Sequence, residues 1–360
     1  MKLRLRARVY EGAIGLGLLT PLGTEYQCEV QVAENEEGEL VEIPLPEGNQ
    51  IGALMLRNVS VRGRSRVDLD ILECGVFSSD SEAKIARDPL FSRFRPASAS
   101  AKPGFHVGYL GEQTDAQFAE IALYLGAKGY PPINYEIFKW RTLLSAVADA
   151  REQFVMVSAG AGFGRWLVSA ACALRQYNPM PFFLVGIEAE QTHFEWMLRH
   201  FRNNAIDPHE HRLWHAAIDA EPGVTTLLSD TEPARWFGQA VANTFHGTHA
   251  GDGYRRYQVP CVSLNQVLAE LNIVDLLEID IVGAEERAVP AAIDMINRKV
   301  RHVNIGIQAP HIDHIIEVLF AARGWKCVCK FGCKSAEMTE FGHVEFPQGV
   351  QHWVNPQLAG

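Results

Sequence analysis

The sequence predicts an α/β protein: an open, doubly wound parallel sheet preceded by a small β-sandwich-like domain. Three observations predict it. Phe154 to Val157 is an apolar run of strand length, broken by Gly160, Gly162 and Gly164 and followed by a helical pattern with Leu167, Ala170, Ala171 and Leu174 on one face. A second apolar run, Phe182 to Ile187, ends in Glu188. From residue 151 onward strand and helix patterns alternate, as they do when crossover helices cover a parallel sheet.

At 360 residues the chain has room for about two domains and enough core to fold without staples. A net charge of −10 argues against nucleic acid as the main partner, because phosphate neutralisation needs a basic face. No run of 18 or more apolar residues occurs, so no membrane span is expected. The start, Met1 to Val9, alternates basic and apolar residues in the manner of a strand, not a signal peptide; a polybasic anchor is the weaker alternative. Seven scattered cysteines fit a reducing cytoplasm. Cys327, Cys329 and Cys333 lack a fourth ligand at finger spacing, so no metal site is expected there.

Residues 1–79 carry short alternating runs (Leu3–Val9, Gln27–Val32, Leu40–Ile43, Ala53–Val59, Val67–Ile71) between turn signals, which suggests the sandwich-like domain. Its role is left between packing and binding a sugar or partner. Residues 80–130 read as a linker or irregular region, with loop-forming stretches at Ser78–Ser81 and Arg95–Gly104 and a short helix at Gln117–Leu125. The main domain is expected over 131–360. It opens with a helix from Tyr135 to Ala150, whose Ile137, Trp140, Leu143, Leu144 and Val147 would lie on the sheet, with Glu136 and Arg141 on a solvated face or, as the weaker alternative, lining a site.

Strand, glycine turn and helix together bring backbone N–H groups and a helix N-terminus up to a ligand. A dinucleotide fingerprint needs G-x-G-x-x-G, but Gly164 comes one residue early and Arg165 takes the expected place, which disfavours NAD(P). Glu188, 24 residues after Gly164, is placed either to accept both hydroxyls of a ribose or to cap the helix that follows. The third strand is expected at Arg212–Ile218, with Ala216 and Ala217 leaving room for an adenine and His215 either a contact or a structural histidine. Phe237 to Tyr257, rich in Gly, His and Asn, reads as a lid or disordered loop, in which His246 and His249 are either bases, ligands or idle. Val274 to Ile279 is a central strand. Asp280 at its end and Glu285 at the next helix start either hold a hydroxyl acceptor and take its proton, or cap the helix and complement its dipole.

Asp280-Ile281-Val282-Gly283-Ala284-Glu285 resembles the D-I-Q-G-A-E signature of FkbM-type methyltransferases. Matching pieces follow the same order: the Glu136/Trp140 helix, Gly160 to Gly164, Glu188, His193-Phe194, Asn203 to Pro208, Val300-Arg301, Ile305-Gly306, Gly324-Trp325 and Gly349 to Pro356. The resemblance spans roughly 130–356 and extends to the N-terminal β-domain, which resembles one found before some members. It implies a class I, Rossmann-like fold and S-adenosylmethionine (SAM)-dependent methylation of a hydroxyl on a sugar, glycan or secondary metabolite. It further implies that the turn from Ser158, Ala159, Gly160, Ala161 and Gly162 to Gly164 cradles the methionine end of SAM. Glu188 would hold the ribose, and Asp280 and Glu285 would face the acceptor. Ser158 stands where relatives usually have an acidic residue, and Ile307-Gln308 replaces a Thr-His pair. These departures leave a rival reading, a catalytically weakened module binding a glycan or protein partner. The sequence leaves self-association open.

Overall fold

The computed structural model describes residues 2–19, 26–44, 53–60, 63–75, 84–97, 102–118, 129–230, 240–241 and 254–358. The chain divides into two compact units, Met1–Ser81 and Glu82–Gly360. Among the described residues no helix is long and apolar enough to cross a membrane.

The first unit is an antiparallel sheet of β1 (Lys2–Leu19), β2 (Tyr26–Pro44), β3 (Ala53–Asn58) and β4 (Arg66–Gly75). β1 runs through all of it, pairing with β2 along its length, with β4 through its first half and with β3 through its second. Leu5, Ala7 and Val9 are buried, then Ile14, Leu16 and Leu18, so the buried parity switches from odd to even. The switch coincides with register shifts between Val9 and Ala13, where Gly12 takes φ +81°. An irregularity of this kind bends a strand and resets which side chains face the core. The described strands therefore form one bent sheet sharing β1, where the sequence suggested two packed sheets of short strands.

The second unit contains the expected doubly wound sheet. A hairpin of β5 (Phe105–Val107) and β6 (Gln113–Asp115) precedes helix α1 (Glu136–Asp149). There follow β7 (Phe154–Ala159), α2 (Arg165–Tyr177), β8 (Phe182–Glu188), α3 (Gln191–Asn203) and β9 (Arg212–His215). After the insertion described below come α4 (Leu264–Ala269), β14 (Val274–Ile279), α5 (Glu285–Lys299), β15 (Val300–Ile307), α6 (Pro310–Ala321) and β16 (Lys326–Phe331). A hairpin of β17 (Ser335–Thr339) and β18 (Gly342–Phe346) leads to the last strand, β19 (Gly349–Val354). The main sheet has the order β16-β19-β15-β14-β7-β8-β9, with β19 antiparallel to both neighbours. The chain winds outward from β7 to β9, then returns to β7's other side with β14. The crevice of an open sheet lies at such a reversal, outside the carboxyl ends of the two central strands.

Period two along β7 divides the core. Phe154 and Met156 face the layer of α1, α2 and α3, while Val157 and Ala159 face α4, α5 and α6. Phe91, Phe94 and Tyr109, from the segment expected to be a linker, are buried in the first of these layers. The expected third strand is split at Ala216. β10 (Ala217–Asp219) leaves the main sheet for a second one, in which it runs parallel to β13 (Tyr254–Ser263), itself antiparallel to β11 (Gly223–Asp230). Strand β12 (Ala240–Val241) completes it. Where the expected lid is described, it is strand; His246 and His249 lie outside the described residues, as do Ser78–Ser81 and most of Gln117–Leu125.

Candidate functional site at the strand reversal

At the reversal, β7 and β14 end side by side, with Ser158 in register with Glu278 and Ala159 with Ile279. The Asp280 N–H donates to the Ala159 carbonyl at 2.9 Å, holding the two ends together. Gly160 then turns with φ +82°, and a Cβ there would collide with the Asp280 carbonyl oxygen. This position requires glycine on both counts. Gly164, at φ +76°, precedes α2 and packs against Met197 of α3.

The turn's N–H groups are largely engaged within the protein. Those of Gly160 and Ala161 donate to the Ile187 carbonyl at 3.0 and 2.9 Å, and that of Gly164 to the Ala161 carbonyl at 2.8 Å. The Gly162 N–H donates to Glu188 Oε2 at 2.7 Å. At Gly160 and Gly164 the missing side chain makes room for the protein itself, the Asp280 carbonyl and Met197. Glu188 Oε1 accepts from the Glu190 N–H at 2.8 Å, so this buried carboxylate ties the turn to the start of α3. Burial pushes the Glu188 carboxyl above its ordinary range, with the Glu190 and Gly162 N–H groups pulling it back. Glu190, not Glu188, caps α3, through the His193 N–H at 2.7 Å. Each Glu188 oxygen has a second lone pair for a further donor.

Below the turn lies a buried polar cluster that the sequence did not reveal. Lys139 of α1 reaches Asp280 Oδ2 at 2.7 Å and Glu278 Oε1 at 4.0 Å. Burial alone would lower the Lys139 pKa, but the carboxylates of Asp280 and Glu278 outweigh it and hold the ammonium above the usual lysine range. Gln308 and Gln348 donate to the two Asp280 oxygens at 3.3 and 3.4 Å. The Asp280 side chain keeps 23 % of its surface exposed, which leaves it open at the crevice floor. Ser158 donates to Glu278 Oε2 at 2.6 Å and so turns toward the cluster. Glu136, expected on a solvated face, is buried and takes two bonds from Arg165 at 3.0 and 2.9 Å. Glu136 and Lys139 sit three residues apart on one helix face. Charges there, interrupting an apolar stripe, were the available signal.

Glu285 stands behind the turn that follows β14. It is 0 % exposed, and its two oxygens accept from the Ile281 and Gly283 N–H groups at 2.9 and 2.7 Å. Burial pushes its carboxyl up to about 7, with Asp280's charge adding to the effect. The structure therefore brings Asp280, not Glu285, to the opening. Ala216 and Ala217 are buried where the chain passes from β9 to β10, and the Ala216 N–H donates to the Glu188 carbonyl at 3.0 Å. His215 Nε2 lies 3.1 Å from the Ala189 carbonyl, and its ring stacks on Phe194. A further residue missed in sequence is His200. Its Nδ1 lies 3.2 Å from the Phe163 carbonyl and its Nε2 3.2 Å from the Thr114 hydroxyl. Since a carbonyl only accepts, Nδ1 carries the proton and Nε2 accepts from Thr114. Burial lowers this imidazole to about 3, so it is a neutral strut beneath the turn. A cavity of about 670 Å³ opens near the other end of α1, lined by Arg141, Asp149 and His352 among others, and contains none of the crevice residues.

No family model matches the chain. A protein of Jannaschia sp. (strain CCS1), whose name marks it provisionally as a methyltransferase, is 25 % identical over 243 residues, covering 64 % of this chain and 86 % of its own. Among solved structures, an O-methyltransferase from Bacillus cereus in complex with SAH is 10 % identical, with a TM-score of 0.35 over 67 % of this chain and 91 % of that one. TehB from Haemophilus influenzae is 8 % identical, with a TM-score of 0.36 over 98 % and 88 %. Likenesses this distant add no weight; the strand order itself does. A seven-stranded sheet with one reversed strand next to the edge, wound about a glycine turn, is the class I methyltransferase fold, and methyltransferase is the enzyme class to which that fold and the Jannaschia relative both point.

Proposed function

We propose that this protein is a SAM-dependent O-methyltransferase acting on a hydroxyl of a sugar, glycan or secondary metabolite. The observation that carries the reading is the junction of Glu188, Gly162 and Asp280 at the strand reversal. A carboxylate with free lone pairs and a glycine-rich turn against an acidic strand end suit an adenosyl group bearing two ribose hydroxyls. When bound, the cofactor supplies a methyl carbon on a cationic sulfur. Glu188 would accept from the ribose, and the turn at Gly162 would lie beside the chain that follows it.

Asp280 accepts a hydrogen bond from the acceptor hydroxyl, aims its oxygen and receives its proton. Lys139, Gln308 and Gln348 fix that carboxylate from behind. Holding two reactants in line is the main source of acceleration for such a displacement, and a positioned base adds about 10²–10⁴-fold. Asp280→Asn should accordingly keep S-adenosylhomocysteine binding within about threefold while lowering methylation by about 10²–10⁴-fold. Release of S-adenosylhomocysteine from SAM, assayed with fractionated sugars and polar metabolites, measures this. Equal turnover by the variant would remove Asp280 from the mechanism.

Ser158, where relatives usually carry an acidic residue, donates to Glu278, and this favours the rival reading of a non-catalytic binding module. That reading predicts retention of a glycan or protein partner with no S-adenosylhomocysteine released from any acceptor fraction.

A further inference from the structure

The cavity of about 670 Å³ alongside α1 has a buried histidine in its wall. His352 of β19 lines it with only 2 % of its surface exposed. Its Nε2 lies 3.2 Å from His302 Nδ1, and His302 Nε2 lies 3.3 Å from Asp149 Oδ2. The carboxylate at the end of this row fixes the protons. Because it only accepts, His302 carries its proton on Nε2, and His302 Nδ1 accepts from the His352 Nε2–H. His352 Nδ1 is then a bare acceptor, and no described residue donates to it. Burial lowers this imidazole to about 3, with its neighbours His302 and Arg141 adding to the effect, so the ring stays neutral. A buried acceptor left without a donor is costly, and an arriving donor removes that cost.

The rest of the lining narrows the choice of ligand. Arg141 is held by Asp88 at 3.7 Å and by Glu340, and Arg93 acts on Asp149. An anion would meet three carboxylates and guanidiniums already engaged; a cation at His352 would meet Arg141. A neutral group escapes both penalties. Toward the start of α1 the wall becomes aromatic, where the Phe138 and Phe331 rings lie 4.3 Å apart between centroids. From Phe138 to Asp149 the helix runs about 16 Å at 1.5 Å per residue. His352 joins the two ends: it pairs with Cys329, two residues from Phe331 on β16, and reaches Asp149 through His302. We propose that this cavity is a second binding site, for a neutral ring-bearing ligand with a hydroxyl group. The ring lies against Phe138 and Phe331, and the hydroxyl donates to His352 Nδ1. The site shares no residue with the crevice and does not depend on the cofactor reading.

The test compares 4-methylphenol with 4-methylanisole, which keeps the ring but cannot donate, by NMR titration of the full chain with labelled histidine nitrogens. The unmodified protein should bind the phenol about tenfold more tightly than the ether, the loss expected when a buried acceptor goes unanswered. The His352 Nδ1 resonance should be that of an unprotonated nitrogen in the free protein and should shift with the phenol alone. 4-Methylbenzoate and 4-methylbenzylammonium should bind more weakly than the phenol. In His352→Phe the preference for phenol over ether should fall to within about twofold. Ser145→Trp, which fills the cavity from a half-buried position on α1, should abolish binding of both ligands while leaving the His302 and His352 resonances in place. A protonated Nδ1 in the free protein would overturn the proposal. So would equal affinity for phenol and ether, no binding of the phenol at millimolar concentration, or phenol binding that survives Ser145→Trp.

Discussion

At Gly160 backbone geometry and side-chain volume make the same demand. Its φ of +82° disfavours any L side chain, and the Asp280 carbonyl occupies the Cβ direction. Gly160→Ala should destabilise the fold by about 2–4 kcal/mol, measured by urea unfolding, where Gly223→Ala, with open space around it, should change little. Glu285 makes a different prediction. Burial pushes its carboxyl up to about 7 from an ordinary 4.5, so the native state holds its proton more tightly than the unfolded chain does. That contribution is fully present below about pH 4.5 and is lost as pH rises through 7, a change of about 3 kcal/mol. Glu285→Gln loses one backbone bond and all of this linkage. It should therefore be less stable than the parent at pH 5, with the gap narrowing by up to about 3 kcal/mol at pH 8. A gap independent of pH would show that Glu285 does not titrate in this window.

At the scale of elements, the parts legible in the sequence were those written in contiguous residues. The apolar run of β7 and its glycines, β8 ending in Glu188, and β14 ending in Asp280 all lie where local pattern placed them. What stayed hidden depends on pairing between distant segments. Lys139 meets Asp280 across 141 positions, His200 meets Thr114 across 86, and no spacing rule links them. The split at Ala216 was hidden for the same reason, since β10 leaves the sheet to join β13, some 40 residues on. α1 is the element on which the cluster hangs. Lys139→Met would leave the buried Glu278 and the half-buried Asp280 without a counter-ion, at about 3–5 kcal/mol, whereas Lys139→Arg should recover part of that. Thermal unfolding of the two variants side by side checks the ordering.

For the whole molecule, the sheet order explains why residues from α1, β7, β8 and β14 converge. The winding reverses once, between β7 and β14, and Lys139, Ser158, the glycine turn, Glu188 and Asp280 lie at or beside that reversal, with Ala216 and Ala217 farther out, after β9. All of them belong to the second unit, Glu82–Gly360. The bent sheet of Met1–Ser81 could not be foreseen from short alternating runs, because its shape comes from one long strand whose buried parity changes at Gly12. The central claim is that Glu188 and the glycine turn hold an adenosyl group, and S-adenosylhomocysteine titrated calorimetrically into the full chain and its Glu188→Ala variant tests it most directly. The account predicts micromolar binding to the parent and a loss of about 30-fold or more in the variant, as removal of a carboxylate that takes two ribose hydroxyls should give. Binding of equal strength to both proteins, or none to the parent at millimolar ligand, would contradict it.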